Sequence, residues 1–373
     1  MVRAMENYIG KNEDPGKLPK RKGRNRLRVY IRIVTAIDVL LLLICAMLLL
    51  RAATVQKQYQ EEKERADELA EELAEDEAEI EEAENAMEMV KIPPESERVS
   101  SVRTLAERGA AAIELLKALF PHQVVIADEG SFYFYDIDRS LKPNGYDSSK
   151  FSVSDNGTLA YEEDGRLIGY RGIDVSQHNG EIDWEKVRED GVEFVFIRAG
   201  IRGYGSGKLV EDERFEENYE GAKAAGLNVG VYFFTQALTE KEGVEEAEYL
   251  LELIRGRELD LPVALDVEKV EPDGETIPRT QGLSKEQYTK NVKAFCERIG
   301  QEGMETIIYG NGKTFAMLLD ISELEDYDKW FADYISEKDI TPYFPYHFRV
   351  WQYDSTWNCS GVNGNCDVNL AFY

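Results

Sequence analysis

The chain is poor in the residues that most often carry metal or nucleophile chemistry, with four cysteines and three histidines in 373 residues. No two cysteines have C-x-x-C spacing, and four are too few for a disulfide scaffold. His122, His178 and His347 fall in three separate regions, so no clustered His/Asp set is present to ligate a metal. There is no G-x-S-x-G elbow, and a serine nucleophile would have few histidines to serve it. Basic charge is also scarce: 44 Lys/Arg face 72 Asp/Glu, for a net charge of −28. Such an exterior repels polyphosphate, and no basic groove with interleaved aromatics appears, which argues against nucleic acid as a partner everywhere but the short basic head. With 43% hydrophobic and 10% aromatic residues, the chain can build one large core and a smaller one, and is not disordered.

The basic residues that exist are concentrated at the amino terminus. Residues 1–32 hold ten Lys/Arg against three Asp/Glu, a net of +7, and the remainder holds 34 against 69, a net of −35. This basic head (1–32) precedes the apolar run Ile33–Leu50, in which Asp38 is the only charge. Taken as 33–53, the run meets the roughly 20 residues needed to span a bilayer as a helix. The basic flank then predicts a single-pass protein with a cytoplasmic amino terminus and its bulk outside the membrane. A cleaved signal peptide would have a shorter apolar region; the long charged head favours a retained anchor. Asp38 would sit near the cytoplasmic interface or pair within an oligomer.

From 54 to 92 the composition turns to Glu, Ala, Leu and Lys. Tyr59, Ala66, Leu69, Leu73, Ile80, Ala83, Met87 and Val90 follow a 3-4 spacing broken by Glu62 and Asp76. This reads as an acidic helical stalk with coiled-coil tendency, either a homodimer contact or a single solvated helix. Pro93-Pro94 ends it. Residues 97–168 read as a small α+β domain: one amphipathic helix over 96–119, then short strands separated by Asp-Glu-Gly, Pro-Asn-Gly and Asp-Asn-Gly turns. No reactive constellation appears in it, so spacer, partner-binding and wall-docking roles all remain open.

Residues 170–373 alternate strand and helix signals. Strand-like runs fall at 172–176, 194–199, 228–235, 261–268, 305–309, 329–334, 348–353 and 367–372, and helical patterns fill only the early gaps. This predicts an α/β fold, an irregular (β/α) TIM-like barrel whose final crossovers are incomplete. In such a barrel chemistry collects at the carboxyl ends of the strands. The run Leu261–Glu268 delivers Asp266 and Glu268 there, side by side on one face. Paired carboxylates are what glycosidic bond cleavage requires, because burial and mutual repulsion turn one into an acid usable near neutral pH. A solvated strand end is the plainer explanation of an isolated D-x-E. Cys359 and Cys366 flank a turn-rich hexapeptide that could close as a disulfide, which spacing does not decide.

The motifs G-I-D-V-S-Q-H-N-G (172–180), D-V-E (266–268), W-Q-Y (351–353) and D-V-N-L-A-F (367–372), in this order, resemble the family 25 glycoside hydrolases. These are lysozymes that cut between N-acetylmuramic acid and N-acetylglucosamine in bacterial peptidoglycan. The resemblance covers Tyr170 to Tyr373 and leaves the stalk and small domain outside. It implies Glu268 as general acid, Asp266 holding substrate and tuning that acid, Asp174 anchoring the first-strand side, and Asp367 facing the sugar opposite the acid. It implies no cofactor and no metal. Three routes suit an N-acetyl sugar: covalent retention, inversion, and attack by the sugar's own amide, the last being preferred here. Tyr232, Tyr309, Trp330, Tyr334 and Trp351 are candidate sugar-stacking residues, with barrel core as the alternative, and Gln352 and Arg198 are candidate polar contacts. His178 and Asn179 shape the loop after the first strand. The whole reads as a membrane-anchored muramidase of a bacterium, its barrel facing the cell wall and its partner the glycan strands. The rivals are a non-catalytic glycan-binding scaffold or receptor, a secreted lysin, and a metal-dependent deacetylase, the last disfavoured by the scattered histidines.

Overall fold

The computed structural model describes residues 94–372 apart from 155, 156, 275 and 336–339, together with helical positions between 28 and 65. The chain divides into two compact units, Met1–Val90 and Lys91–Tyr373. Most of the basic head, of the 33–53 run and of the 54–92 stalk lies outside the described residues. Among the described residues, no helix is long and apolar enough to cross a membrane.

The second unit begins with α1 (Glu95–Glu107) and α2 (Ala112–Leu119). One helix was expected over 96–119; Gly109, at φ +73°, breaks it, since only glycine adopts that conformation without steric cost. Two small sheets follow: the hairpin β1 (Gln123–Asp128) and β2 (Ser131–Asp136), then β3 (Phe151–Val153), β4 (Leu159–Glu163) and β5 (Arg166–Leu167). Glu129 and Gly130, at φ +48° and +76°, give the hairpin the two left-handed residues of a type I′ turn. Leu141, Phe151, Leu159 and Tyr161 share their core with the barrel, where the Phe151 and Trp351 rings meet edge to face at 5.4 Å.

The barrel consists of β6 (Gly169–Val175), β7 (Phe194–Arg202), β9 (Asn228–Phe234), β10 (Val263–Asp266), β11 (Thr306–Asn311), β12 (Asp328–Ala332), β13 (Val350–Trp357) and β14 (Cys366–Phe372), with β8 (Leu209–Glu211) hairpinned onto β7. Its order is β6-β14-β13-β12-β11-β10-β9-β7, and β7 pairs back to β6 to close the ring. The first seven of these strands in chain order pair in parallel; β14 runs antiparallel to both neighbours. Helices α3 (Trp184–Glu189), α4 (Phe215–Ala224), α5 (Glu240–Leu253) and α6 (Lys285–Gly300) serve the early crossovers. Beyond β11, among the described residues, the helical pieces are single turns, and the segment 358–365 is too short for a parallel crossover, so the last strand must return antiparallel. Asp183, Thr239 and Ser284 cap α3, α5 and α6 by accepting backbone N–H groups.

Strand parity separates two cores. Phe194, Phe196, Ala264, Ile307, Trp330, Val350 and Ala371 fill the barrel interior, while their chain neighbours, such as Val195, Leu265, Phe331 and Trp351, face the outer layer. Gly172 and Gly230 leave room for this plug: a Cβ at either would fall 2.3 Å and 2.6 Å from the rings of Phe194 and Phe196. Trp351, expected as a candidate groove residue, therefore belongs to the outer core. It is 0% exposed and its Nε1–H donates to the Asp333 carbonyl at 2.7 Å. Cys359 and Cys366 are buried free thiols, their S–H groups directed at the carbonyls of Ser360 and Asp367. Trp351→Ala is expected to lower stability by about 3–5 kcal/mol, seen as a lower urea midpoint at unchanged m-value.

Candidate active site

One step above the apolar plug, at the carboxyl ends of the parallel strands and the amino end of β14, the inward positions become polar. Asp174 of β6, Arg198 of β7, Tyr232 and Phe234 of β9, Asp266 of β10, Tyr309 of β11, Trp330 of β12, Gln352 of β13 and Asp367 of β14 line one cavity of about 390 Å³. Glu268 joins them from the loop just past β10, accompanied by Val270, and Tyr204 enters from the loop after β7. Strand β10 ends at Asp266, so Glu268 takes its place from irregular backbone rather than from the strand expected there. A larger cavity of about 710 Å³ opens at the opposite end of the barrel, around the starts of the strands. Its charges are already matched, Asp260 with Lys223 and Arg349 with Glu305 and Asp328, and barrel chemistry does not collect at that end.

A directional hydrogen-bond network fixes the polar layer. The indole N–H of Trp330 donates to Asn369 Oδ1 at 2.7 Å, so the amide nitrogen of Asn369 turns to Asp174 Oδ2, 2.9 Å away. The hydroxyls of Tyr309 and Tyr334 donate to Gln352 Oε1 at 2.9 and 3.2 Å, and Gln352 Nε2 donates to the same Asp174 oxygen at 2.8 Å. Arg198 is held by Asp212, Nε to Oδ2 at 2.7 Å, and brings a positive charge to the cavity wall. Asn179 Oδ1 accepts from Ser176 N–H, which shapes the turn after β6 as expected.

Burial pushes all four carboxyls above their ordinary range. Asp174 rises only to about 6, because the amides of Asn369 and Gln352 stabilise its charged form. Asp367, which lies directly opposite Asp174 across the β14–β6 ladder, rises to about 8 through burial and the nearby charges of Asp174 and Glu268. Asp266 is raised well above the ordinary value by burial and by Glu268, and its Oδ1 is buried without a hydrogen-bond partner. Glu268 is raised by burial. Asp266 and Glu268 titrate as a coupled pair, both raised by burial. The site thus sets Asp174, whose charge two amides stabilise, apart from Asp367, which burial and neighbouring charge keep protonated to higher pH, the kind of separation that acid-base chemistry needs.

Of the residues expected at the site, Asp174, Asp266, Glu268, Asp367, Tyr232, Tyr309, Trp330, Gln352 and Arg198 line the cavity. Tyr334 is 53% exposed and reaches the network through its hydroxyl. Trp351 is excluded by parity, since Gln352 takes the inward position on β13. Sequence reasoning missed Asn369, Asp212, Tyr204, Phe234 and Val270. Asn369 could have been found, two residues after Asp367 on the same strand and hence on the same face.

Residues 173–362 match Glycosyl hydrolases family 25. The chain belongs to that family. It is 29% identical over 199 residues to the autolytic lysozyme of Clostridium acetobutylicum, over 53% of this chain and 55% of the relative. It is also 29% identical over 208 residues to lysozyme M1 of Streptomyces globisporus, over 54% of this chain and 67% of that protein. A bacterial lysozyme structure from Streptomyces coelicolor superposes with a TM-score of 0.45 at 28% identity, over 54% of this chain and 91% of that one. The chain thus spans about half the length of the Clostridium relative.

Asp367→Asn tests the buried-charge account. A carboxyl whose folded pKa stands near 8, against about 4 when unfolded, contributes stability that is present below pH 4 and lost as pH rises through 8. Thermal melts of wild type and Asp367→Asn should therefore coincide near pH 4, with the variant progressively more stable up to about pH 8 and the gap constant beyond.

Proposed function

We propose that the protein is a peptidoglycan hydrolase, a muramidase that cleaves the β-1,4 bond between N-acetylmuramic acid and N-acetylglucosamine. The observation that carries this is the convergence of Asp174, Asp266, Glu268 and Asp367 on one barrel-mouth cavity in a family 25 chain. Glu268, its pKa raised by burial, protonates the glycosidic oxygen as the bond to the anomeric carbon breaks. The oxygen of the 2-acetamido group attacks that carbon from the other side, closing an oxazolinium ring. Asp367 or Asp266 orients the acetamido group for this attack. Water, deprotonated by the Glu268 carboxylate, then opens the ring with net retention. Tyr232 and Tyr309 face the sugars, and Arg198 offers a donor to their polar substituents.

We further propose that the 33–53 run anchors the chain as a single-pass protein in a bacterial cytoplasmic membrane, with the head inside, the barrel facing the wall, and the stalk a contact for a second copy. Support comes from the apolar run and its basic flank. Tethering keeps the effective concentration of enzyme near its substrate high. The intact mass of the mature chain should include residues 1–53; a mass corresponding to cleavage near Ala53 would make it a secreted lysin.

The chemical test is digestion of peptidoglycan by the full chain, borohydride reduction and mass spectrometry, beside Glu268→Gln. Reduced muramic acid ends are expected from the wild type, and at least about a hundredfold fewer from the variant, since general acid catalysis contributes roughly 10²–10⁴-fold. Reduced glucosamine ends would overturn the bond assignment. Wall binding without new ends from the wild type would replace the hydrolase with a glycan-binding scaffold.

A further inference from the structure

We propose that the α+β segment preceding the family 25 region is part of the catalytic apparatus, with Asp128 as a positioning residue that fixes the loop carrying Glu268. The family match begins at residue 173, whereas Asp128 ends β1, in the hairpin far upstream. Its carboxylate is 5% exposed and both oxygens are taken by ammonium groups of the barrel: Oδ2 by Lys269 Nζ and Oδ1 by Lys313 Nζ, each at 2.6 Å. Lys269 immediately follows Glu268, and Lys313 stands just beyond β11. The next residue of the turn, Glu129, adds a second contact to Lys269 at 2.9 Å. The type I′ turn brings both carboxylates to the loop.

The need for such a clamp follows from the backbone. Strand β10 stops at Asp266, so Glu268 stands on a segment with no ladder of its own. On its amino side Val267 is pinned twice: its N–H donates to the Tyr309 carbonyl at 3.1 Å, and its carbonyl accepts from Thr314 Oγ1 at 2.8 Å. On its carboxyl side the first anchor is Lys269, held by Asp128 and Glu129 and, at 3.3 Å, by Glu271. Lys313 and Thr314 are near neighbours, so the Asp128 carboxylate ties together the two loops that flank the acid. The hairpin is itself braced on the same end of the barrel. Tyr343, in the segment after β12, accepts from Val125 N–H and donates to the Gln123 carbonyl, both at 3.0 Å, and Ile126 packs against Gly312. Lys269 and Lys313 hold the Asp128 carboxyl below its ordinary range against the opposing effect of burial, so the charged clamp is kept formed at neutral pH.

This inference rests on Glu268 being the acid of the hydrolytic reaction. Asp128→Asn in the full chain should lower kcat on peptidoglycan about ten- to a hundredfold, the scale of an ångström-sized misplacement, with KM within about twofold. It also removes a negative charge beside the lysines, so the alkaline limb of the kcat/KM profile should move to lower pH. Lys269→Gln removes a positive charge instead; kcat should fall similarly while the limb moves to higher pH. The other charged or titratable groups around Glu268, namely Asp174, Asp266, Asp367, Arg198, Tyr204, Tyr232, Tyr309 and Tyr334, are unchanged in both. A common loss of kcat with opposite shifts of the limb is the expected signature, and Asp128→Glu should recover part of the rate. A folded Asp128→Asn with wild-type kcat and limb, or one altered only in melting temperature, overturns the proposal. Should Asp128→Asn fail to fold, Lys269→Gln, which keeps the Asp128 to Lys313 pair, decides on the same readouts. An inactive wild type would sink the muramidase reading itself, whereas an active wild type with unaffected variants sinks only the role of Asp128.

Discussion

Closing the barrel with an antiparallel strand sets Asp367 directly across from Asp174, and two carboxylates in that position cannot both ionise without penalty. The polar layer is arranged around this conflict. Asn369 and Gln352 both turn their amide nitrogens to one oxygen of Asp174, which settles the negative charge on β6 and leaves Asp367 protonated until about pH 8. The amides are oriented by partners with a single role: the Trp330 indole can only donate to Asn369, and the ionised Asp174 can only accept from Asn369 and Gln352, which leaves the Gln352 oxygen to the Tyr309 and Tyr334 hydroxyls. Charge placement at the mouth is thus fixed by aromatic residues whose rings belong to the barrel wall and floor.

The apolar plug below makes these preferences strong. Phe196 stacks on Trp330 at 4.5 Å, and Tyr309 meets the same indole at 4.7 Å, so the carboxyls stand on a surface that offers no water from beneath. In such a medium an unpaired polar atom is costly, yet Asp266 Oδ1 is left without a partner. Structures tolerate that cost mainly where chemistry needs it, and a polar group entering the cavity would supply the missing contact.

Much of this was legible in the sequence, and the omissions have physical causes. The barrel strands are apolar runs of strand length bounded by turns, so their existence and order could be read directly. The four carboxylates were visible because each sits at the polar end of such a run. Parity was not visible for W-Q-Y: Trp351 and Gln352 can exchange faces unless the register with β12 and β14 is known, and that register assigns Gln352 to the cavity. Asn369 carried no charge to draw notice. Gly109 interrupts a helix whose apolar spacing runs on either side of it, and a single glycine is a weak signal until its φ is seen. The Asp-Glu-Gly turn announced a hairpin, but its partners Lys269 and Lys313 lie 141 and 185 residues away, beyond anything local patterning can report.

That separation bears on where the catalytic unit begins. Residues 97–168 carry no reactive constellation and fall outside the family match, which invites a boundary near residue 170. The structure has no seam there. Tyr353 accepts from Leu159 N–H, Tyr146 donates to the Phe348 carbonyl, and Phe151 and Tyr161 pack with Trp351 and Phe372, so truncation at 170 would strip the outer face of β13 and β14. Those strands hold Gln352, Asp367 and Asn369 by their inward faces, and their outward faces are covered by the upstream segment. The polar layer therefore depends on both sides of the same two strands, and the smallest piece that preserves it starts at the first compact-unit boundary, near Lys91, rather than where the family resemblance begins.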